Sequence, residues 1–279
     1  MASLKEVKTR LASVRTTRKI TQARQMVSSA QLHHAQGVLA GAVAYRDGLE
    51  ELLARAAVEL DPQSPFYFDG RKGRVALIVM SADGGMCGSF NSKIIKEMSA
   101  AMKGHSSDMR LFTLGKKVGE AAGKESKYKV SQGIAAQVAK ITFDQVATFA
   151  SELTTGFLKG RFSRVEVLYS DFKTVSSQHI RRAVLLPLTP PDGHPTGDYI
   201  VEPSVDELAS ALLPMLVGAR LYNCLASNLA SEHASRMTAM QLATENADEL
   251  LEDLQLTYNK LRQQNITSEL LDIVGSSFA

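Results

Sequence analysis

The chain has no tryptophan and only two cysteines among its 279 residues. Two thiols, Cys87 and Cys224, are too few for a disulfide framework and match no metal-ligand spacing, so a reducing compartment is expected. Proline is missing from Ser3 to Leu60, while seven of the eight prolines fall between Asp61 and Ser204. Long apolar runs are also absent. The longest, Gly37 to Tyr45, is far short of the roughly 20 residues a membrane-spanning helix needs. Neither sign of charge dominates: 32 Lys and Arg against 29 Asp and Glu leave a net +3. A composition of 44% apolar and 22% charged residues excludes a disordered or collagen-like chain. Residues 1–19 lack the continuous apolar core of a secretory signal; being Arg-rich and poor in acids, they are of the transit-peptide type.

What is present falls into three zones, punctuated by Pro and Gly: 1–60, 61–204 and 205–279. From Ala219 to Val274 the last zone has neither Pro nor Gly, a length that predicts a coiled coil or shaft rather than an ordinary helix. Met240, Ala247, Leu254 and Leu261 recur every seven residues, with Met237, Thr244, Leu251 and Tyr258 at the complementary offset. That is an a/d seam. In the first zone Leu4, Val7, Leu11 and Val14 alternate by three and four; the period then slips and resumes with Ile20, Ala23, Val27 and Ala30. Residues 1–36 carry seven basic residues and one acid, and residues 202–279 carry eleven acids and four bases. Two long helices of opposite sign and compatible seams are expected to pair, antiparallel, with a compact domain between them in sequence. Ser204 or Asp206 is placed to cap the second, with Glu207 in its first turn.

The middle zone predicts an α/β domain. Arg74–Met80 has the continuous apolar character of a buried strand, followed by a Gly-rich turn and a helix over Asn91–Met102. Further strands are expected at Arg110–Leu114, Val165–Tyr169 and Ala183–Pro187, with a helix at Phe143–Leu158 and a proline-rich loop at Pro187–Pro203. Strands alternating with helices imply a partly parallel, Rossmann-like sheet.

Ser81 to Asn91, a strand followed by glycines and a helix start, is built like a phosphate-binding loop. It is neither G-x-x-x-x-G-K-[ST] nor G-x-G-x-x-G, so a tight strand-to-helix connection is the favoured reading. Cys87 is expected to be a small buried thiol. His33 and His34 are adjacent on a helix and do not share a face, which speaks against joint metal ligation. The basic first helix is of the kind that binds nucleic acid or an anionic surface, but pairing with the acidic last helix accounts for the same residues. Ile266, Leu270, Leu271, Ile273, Val274 and Phe278 keep the end of the chain apolar after the seam loses register at Asn265. Such a tip is expected to insert into something.

Three stretches carry a resemblance. Ala230-Ser-Glu-His-Ala-Ser-Arg-Met-Thr-Ala-Met240, then Ala243-Thr-Glu-Asn-Ala247, then Leu256 through Leu270 and Ile273-Val-Gly275, are similar to the signature of the gamma subunits of F-type ATP synthases. Lys19-Ile-Thr-Gln-Ala-Arg-Gln-Met-Val27 resembles that family's N-terminal helix, and Ser81 to Asn91 resembles its S-x-D-R-G-L-C-G-x-x-N segment. The family motif begins close to Met1, which the resemblance reads as leaving no room for a cleaved leader.

The resemblance implies a long antiparallel coiled coil of N- and C-terminal helices flanking a Rossmann-like α/β domain. It implies a central rotor shaft with no catalytic, cofactor or metal site of its own. Ion flow through the membrane sector would be coupled by it to rotary ATP synthesis or hydrolysis at the beta subunits. The implied partners are the alpha and beta subunits, the epsilon subunit and the c-ring, with no nucleic acid, and with membrane contact only through that ring, on the cytoplasmic side of a bacterial inner membrane. Contacts with the alpha/beta hexamer are carried over to Arg24, Met26, Arg236, Arg262, Gln263, Thr267, Glu269, Ile273 and Val274. The sequence departs from the family pattern at Arg24, usually Met; at Gln22 and Gln25, often charged; at His33 and His34, usually Arg or Lys; and at Gly84, usually Arg. The alternative from another class is a coiled-coil scaffold with a nucleotide-sensing α/β domain.

Overall fold

A computed structural model describes residues 3–56, 65–67, 72–104, 109–124, 129–134, 136–189, 202 and 204–277. The chain opens with helix α1 (Leu4–Ala56). A reciprocal cap starts it: the Ser3 hydroxyl accepts the Glu6 N–H, and the Glu6 carboxylate accepts the Ser3 N–H at 2.8 Å. The middle of the chain forms β1 (Arg74–Met80), α2 (Phe90–Gly104), β2 (Met109–Leu114), α3 (Lys116–Ala122), β3 (Lys129–Gln132), α4 (Phe143–Leu158), β4 (Phe162–Phe172) and β5 (Gln178–Leu186). Helix α5 (Val205–Ser277) closes it. Ser204 is the residue that caps α5, its hydroxyl accepting the Glu207 N–H.

The strands form one sheet in the order β3-β2-β1-β4-β5, parallel except for the last pair. β1, with Ala76 to Met80 fully buried, is its centre. α4 covers one face through Val146, Phe149, Ala150, Leu153 and Phe157, which pack with Ile78, Val167, Leu221 and Leu225. On the other face, Ile94, Met98 and Met102 of α2 meet Leu77, Val79 and Leu111. The predicted β1 and α4 hold to the residue. β4 and β5 run longer than expected, and α3 and β3 escape the sequence reading because each is too short to show a period. The proline-rich loop is outside the described residues from 190 to 201 and at 203, as are Phe278 and residues 57–60 of the first zone.

The chain divides into two compact units, one of Met1–Ser29 with Arg236–Ala279 and one of Ala30–Ser235. In the first, α1 and α5 lie antiparallel: Arg18 pairs with Asp248, Arg15 with Gln255, and Val7 and Leu11 pack with Leu254. The α5 seam is as read, with Met240, Ala247 and Leu254 buried. The expected slip in α1 is not there. Ile20 and Val27 are more than half exposed, and the buried positions after Val14 are Thr21 and Ser28. These continue the three-four alternation of Leu4, Val7, Leu11 and Val14 without a break. Two small polar residues carry the seam where the larger aliphatic neighbours drew the reading to the wrong face. Small side chains let two helix backbones approach closely, and a hydroxyl within the seam finds a carbonyl of its own helix to donate to.

In the second unit the two helices also run antiparallel. The guanidinium of Arg220 binds Glu50 at 2.8 Å, and Arg46 donates to the Asn223 side-chain oxygen at 3.1 Å. Pro214 lies inside α5, where it removes one main-chain donor. No described helix is long and apolar enough to cross a membrane.

Candidate functional site

The residues singled out for partner contact sit mainly on the outside of the paired helices. Arg24 and Met26 of α1 are exposed, as are Arg262, Gln263, Thr267, Glu269, Ile273 and Val274 of α5; Arg236 is half-buried. At helical spacing, Arg262, Ile266, Glu269 and Ile273 fall on one stripe, and Gln263, Thr267, Leu270 and Val274 on the next. The Thr267 hydroxyl donates to the Gln263 carbonyl at 2.9 Å, which fixes its rotamer within the helix. Beyond Leu261 every α5 side chain that is described is exposed, including Ile266, Leu270, Leu271, Ile273 and Val274. That is a polar band running into an apolar end.

The structure does not bring all nine residues together. Thr21 faces Thr244, which puts Arg24 near that level, whereas Arg262 is eighteen residues further along α5, roughly 27 Å at the helical rise. Arg24 and Met26 point to different sides of α1, being two residues apart. The sequence reading missed Ile20 and Val27, which flank Arg24 at helical spacing and are exposed. The signal that finds them is an aliphatic residue lying off the three-four alternation.

Charge complementarity between the helices is realised less widely than expected. Arg18 meets Asp248 at 2.5 Å, but Lys5, Lys8, Arg10, Lys19 and Arg24 are exposed and form no ion pair among the described residues. The basic excess of α1 is therefore largely presented outward.

The Gly-rich turn after β1 is a self-satisfied connection. Asp83 accepts the Lys116 N–H through one carboxylate oxygen and the Val138 N–H through the other at 2.7 Å. Ser81 accepts the Val118 N–H, and Asn91 accepts the Ala82 N–H while donating to the Gly84 carbonyl. The amides at the start of α3 are taken by Asp83 and Ser81, which brace the turn against that helix. Gly115 allows this closeness. It lies at φ +106°, and a Cβ there would meet the Ser81 carbonyl at 2.3 Å.

Both cysteines are buried, and neither forms a disulfide among the described residues. Burial pushes the Cys224 thiol up to about 12, so it stays protonated at neutral pH and is a poor nucleophile. His33 and His34 are both exposed on α1, as adjacent helical positions with diverging side chains.

The sequence profile of the ATP synthase family matches residues 3–279. The ATP synthase gamma chain of Phocaeicola vulgatus is 39% identical over 290 residues, covering 100% of both chains. The chain belongs to the ATP synthase gamma family. The gamma chain of Flavobacterium psychrophilum is 38% identical, covering 100% of this chain and 99% of its own. In fold, the gamma architecture extends to a chain of the Euglena gracilis mitochondrial ATP synthase rotor. That chain has a TM-score of 0.64 and 18% identity, with 94% of this chain and 98% of the other covered.

Proposed function

We propose that this chain is the central rotor shaft of an F-type ATP synthase. It couples ion flow through the membrane sector to rotary ATP synthesis or hydrolysis, and catalysis lies in the beta subunits. The observation that carries the mechanical reading is the paired α1–α5 seam, which holds an unbroken three-four alternation through Thr21 and Ser28 and leaves α5 exposed past Leu261, polar first and then apolar. Two helices interlocked along a seam resist bending and twisting better than either alone. An apolar end meets its surroundings through dispersion contacts, which have no preferred direction and so oppose turning weakly.

Residues 1–60 and 205–279 are the shaft segments, and 61–204 the α/β domain. The partners are the alpha and beta subunits of the catalytic hexamer, the epsilon subunit and the c-ring, on the cytoplasmic side of a bacterial inner membrane. Arg24, Met26, Arg236, Arg262, Gln263, Thr267, Glu269, Ile273 and Val274 contact the hexamer. Arg262 and Glu269, on one exposed stripe, form and break charge-assisted hydrogen bonds with a beta-subunit loop as the shaft turns. The test is ATPase activity of alpha and beta subunits reassembled with and without this chain. Sustained, chain-dependent turnover is expected; equal turnover in both assemblies refutes the reading. Arg24 pairs with an acidic beta-subunit loop and raises the rotational barrier locally. Arg24→Met is expected to change ATP hydrolysis or protons pumped per ATP, and identical values for both quantities refute that pairing.

A further inference from the structure

A polar stretch of α5, from Ser227 to Ser235, runs into the gamma signature and is not explained by hexamer contact, because its residues face the protein's own sheet. Ser227, Asn228 and Ser231 are essentially inaccessible to solvent. Each makes a hydrogen bond to the main chain of the last residues of β4. The Asn228 side-chain oxygen accepts the Ser170 N–H at 3.1 Å, and the Ser231 hydroxyl donates to the Ser170 carbonyl at 3.0 Å. The Ser227 oxygen accepts the Phe172 N–H at 2.8 Å, and its hydroxyl donates to the Asp171 carboxylate at 3.2 Å. One turn further on, Ser235 donates to the Gln178 side chain on β5 at 2.6 Å.

The topology explains why these bonds exist. β4 is eleven residues long and β1 seven, and the β1–β4 register ends at Val79 and Leu168. Ser170 and Phe172 repeat the direction of Leu168, so their main-chain groups face the edge that β1 has already left. β5 occupies the opposite edge throughout. α5 supplies from its side chains the partners that a neighbouring strand would otherwise provide.

We propose that Ser227, Asn228 and Ser231 are positioning residues that transmit torque between α5 and the sheet. The inference rests on the rotor reading above. Leu221 and Leu225 also hold α5 against the sheet, but apolar contacts are nondirectional and let a helix roll. Bonds from three positions of one helix face to fixed main-chain atoms break if the helix rolls or slides. Buried away from water, they have no solvent bond to exchange into. The clamp thus converts rotation of the helix about its axis into rotation of the sheet.

The test uses the chain reassembled with alpha and beta subunits, with a rod-shaped probe attached through a cysteine introduced at the exposed Ser92 of α2. The variance of the probe angle during a catalytic pause reads the stiffness of the path from hexamer to sheet. Ser227→Ala with Ser231→Ala is expected to raise that variance roughly twofold while unloaded ATPase stays within about twofold of the parent, because the lost bonds carry direction rather than chemistry. Leu225→Val, which removes buried volume from the same helix–sheet contact and leaves the clamp intact, is expected to leave the variance unchanged. If the double variant does not assemble, Ser231→Ala alone is read in the same way. An unchanged variance in the Ser variant, or an equal rise with Leu225→Val, overturns the proposal. Absence of chain-dependent ATPase in the parent assembly refutes the rotor reading instead, so the two failures are distinguishable.

Discussion

Thr21 of α1 and Thr244 of α5 hold their hydroxyl oxygens 2.8 Å apart. Each also lies within hydrogen-bond distance of a carbonyl of its own helix, Arg18 for Thr21 and Met240 for Thr244. Two hydroxyl protons thus serve three contacts, and either Thr can act as the donor between the helices. Replacing one Thr by Val leaves the other with its own carbonyl. We expect Thr21→Val or Thr244→Val to cost less than about 1 kcal/mol, and the double variant to be neutral or more stable, since removing both partners of a buried pair leaves nothing unsatisfied. Denaturant midpoints for the four proteins of the cycle check this; additive losses from the two single changes would contradict it.

Asp83 ties three segments together through one carboxylate, bonding the amides of Lys116 and Val138. Val138 is buried while the Lys116 amide is open to water, so Asp83→Ala orphans one buried donor and should destabilise the α/β domain by about 1–3 kcal/mol, with a smaller loss from Lys116. Asp83→Asn, which keeps one acceptor oxygen, should lose about half as much. Thermal unfolding of the two variants side by side gives the comparison, and equal losses would contradict the two-bond account.

Gly115 sits where only glycine fits, at positive φ and against the Ser81 carbonyl. Gly115→Ala is expected to destabilise by more than about 2 kcal/mol, from left-handed backbone strain and a main-chain clash that no rotamer relieves. Gly37, whose added Cβ would meet nothing within 4 Å, is the matched control. Gly37→Ala should be stabilising by about 0.5–1 kcal/mol in an exposed helix interior.

The Cys224 thiol gives the fold a dependence on alkaline pH. Its pKa is raised from 9.0 to about 12, chiefly by burial, and burial likewise raises that of Tyr169. Both groups are held neutral in the folded state and ionise more readily once unfolded. Their contribution is therefore complete below pH 9 and is lost as pH rises through the window from 9 to 12. Urea midpoints at a series of pH values should fall across this window, and Cys224→Ala should flatten the fall. Thiol reagents at pH 8 should leave Cys224 unmodified until the protein is denatured; prompt labelling of the native chain would contradict its burial.

The sheet was legible wherever hydropathy and length agreed. Arg74–Met80 is apolar throughout because helices cover both its faces, and Phe143–Leu158 keeps its period because one side of α4 meets the sheet. Legibility ended where burial depends on size rather than apolarity. Thr21 and Ser28 occupy the seam because they are small, while Ile20 and Val27 face outward, and a hydropathy pattern ranks them the opposite way. Opposite net charges suggest broad pairing of the two helices, yet charge totals do not say which side chains come within 4 Å; Arg18 meets Asp248, and Arg220 of the acidic helix meets Glu50 of the other. The contact residues were reached by resemblance, because exposed polar positions on a helix carry no periodic signal of their own.

The order of synthesis gives the β4 edge a temporal meaning. Ser170 and Phe172 leave the ribosome more than fifty residues before Ser227, Asn228 and Ser231. Until the last fifth of the chain arrives, that stretch of main chain is an open template for stray strand addition. Completion of the C-terminal helix is thus the step that makes the nascent sheet safe from aggregation, and a chain truncated before residue 227 should accumulate in inclusion bodies rather than as a shortened soluble domain.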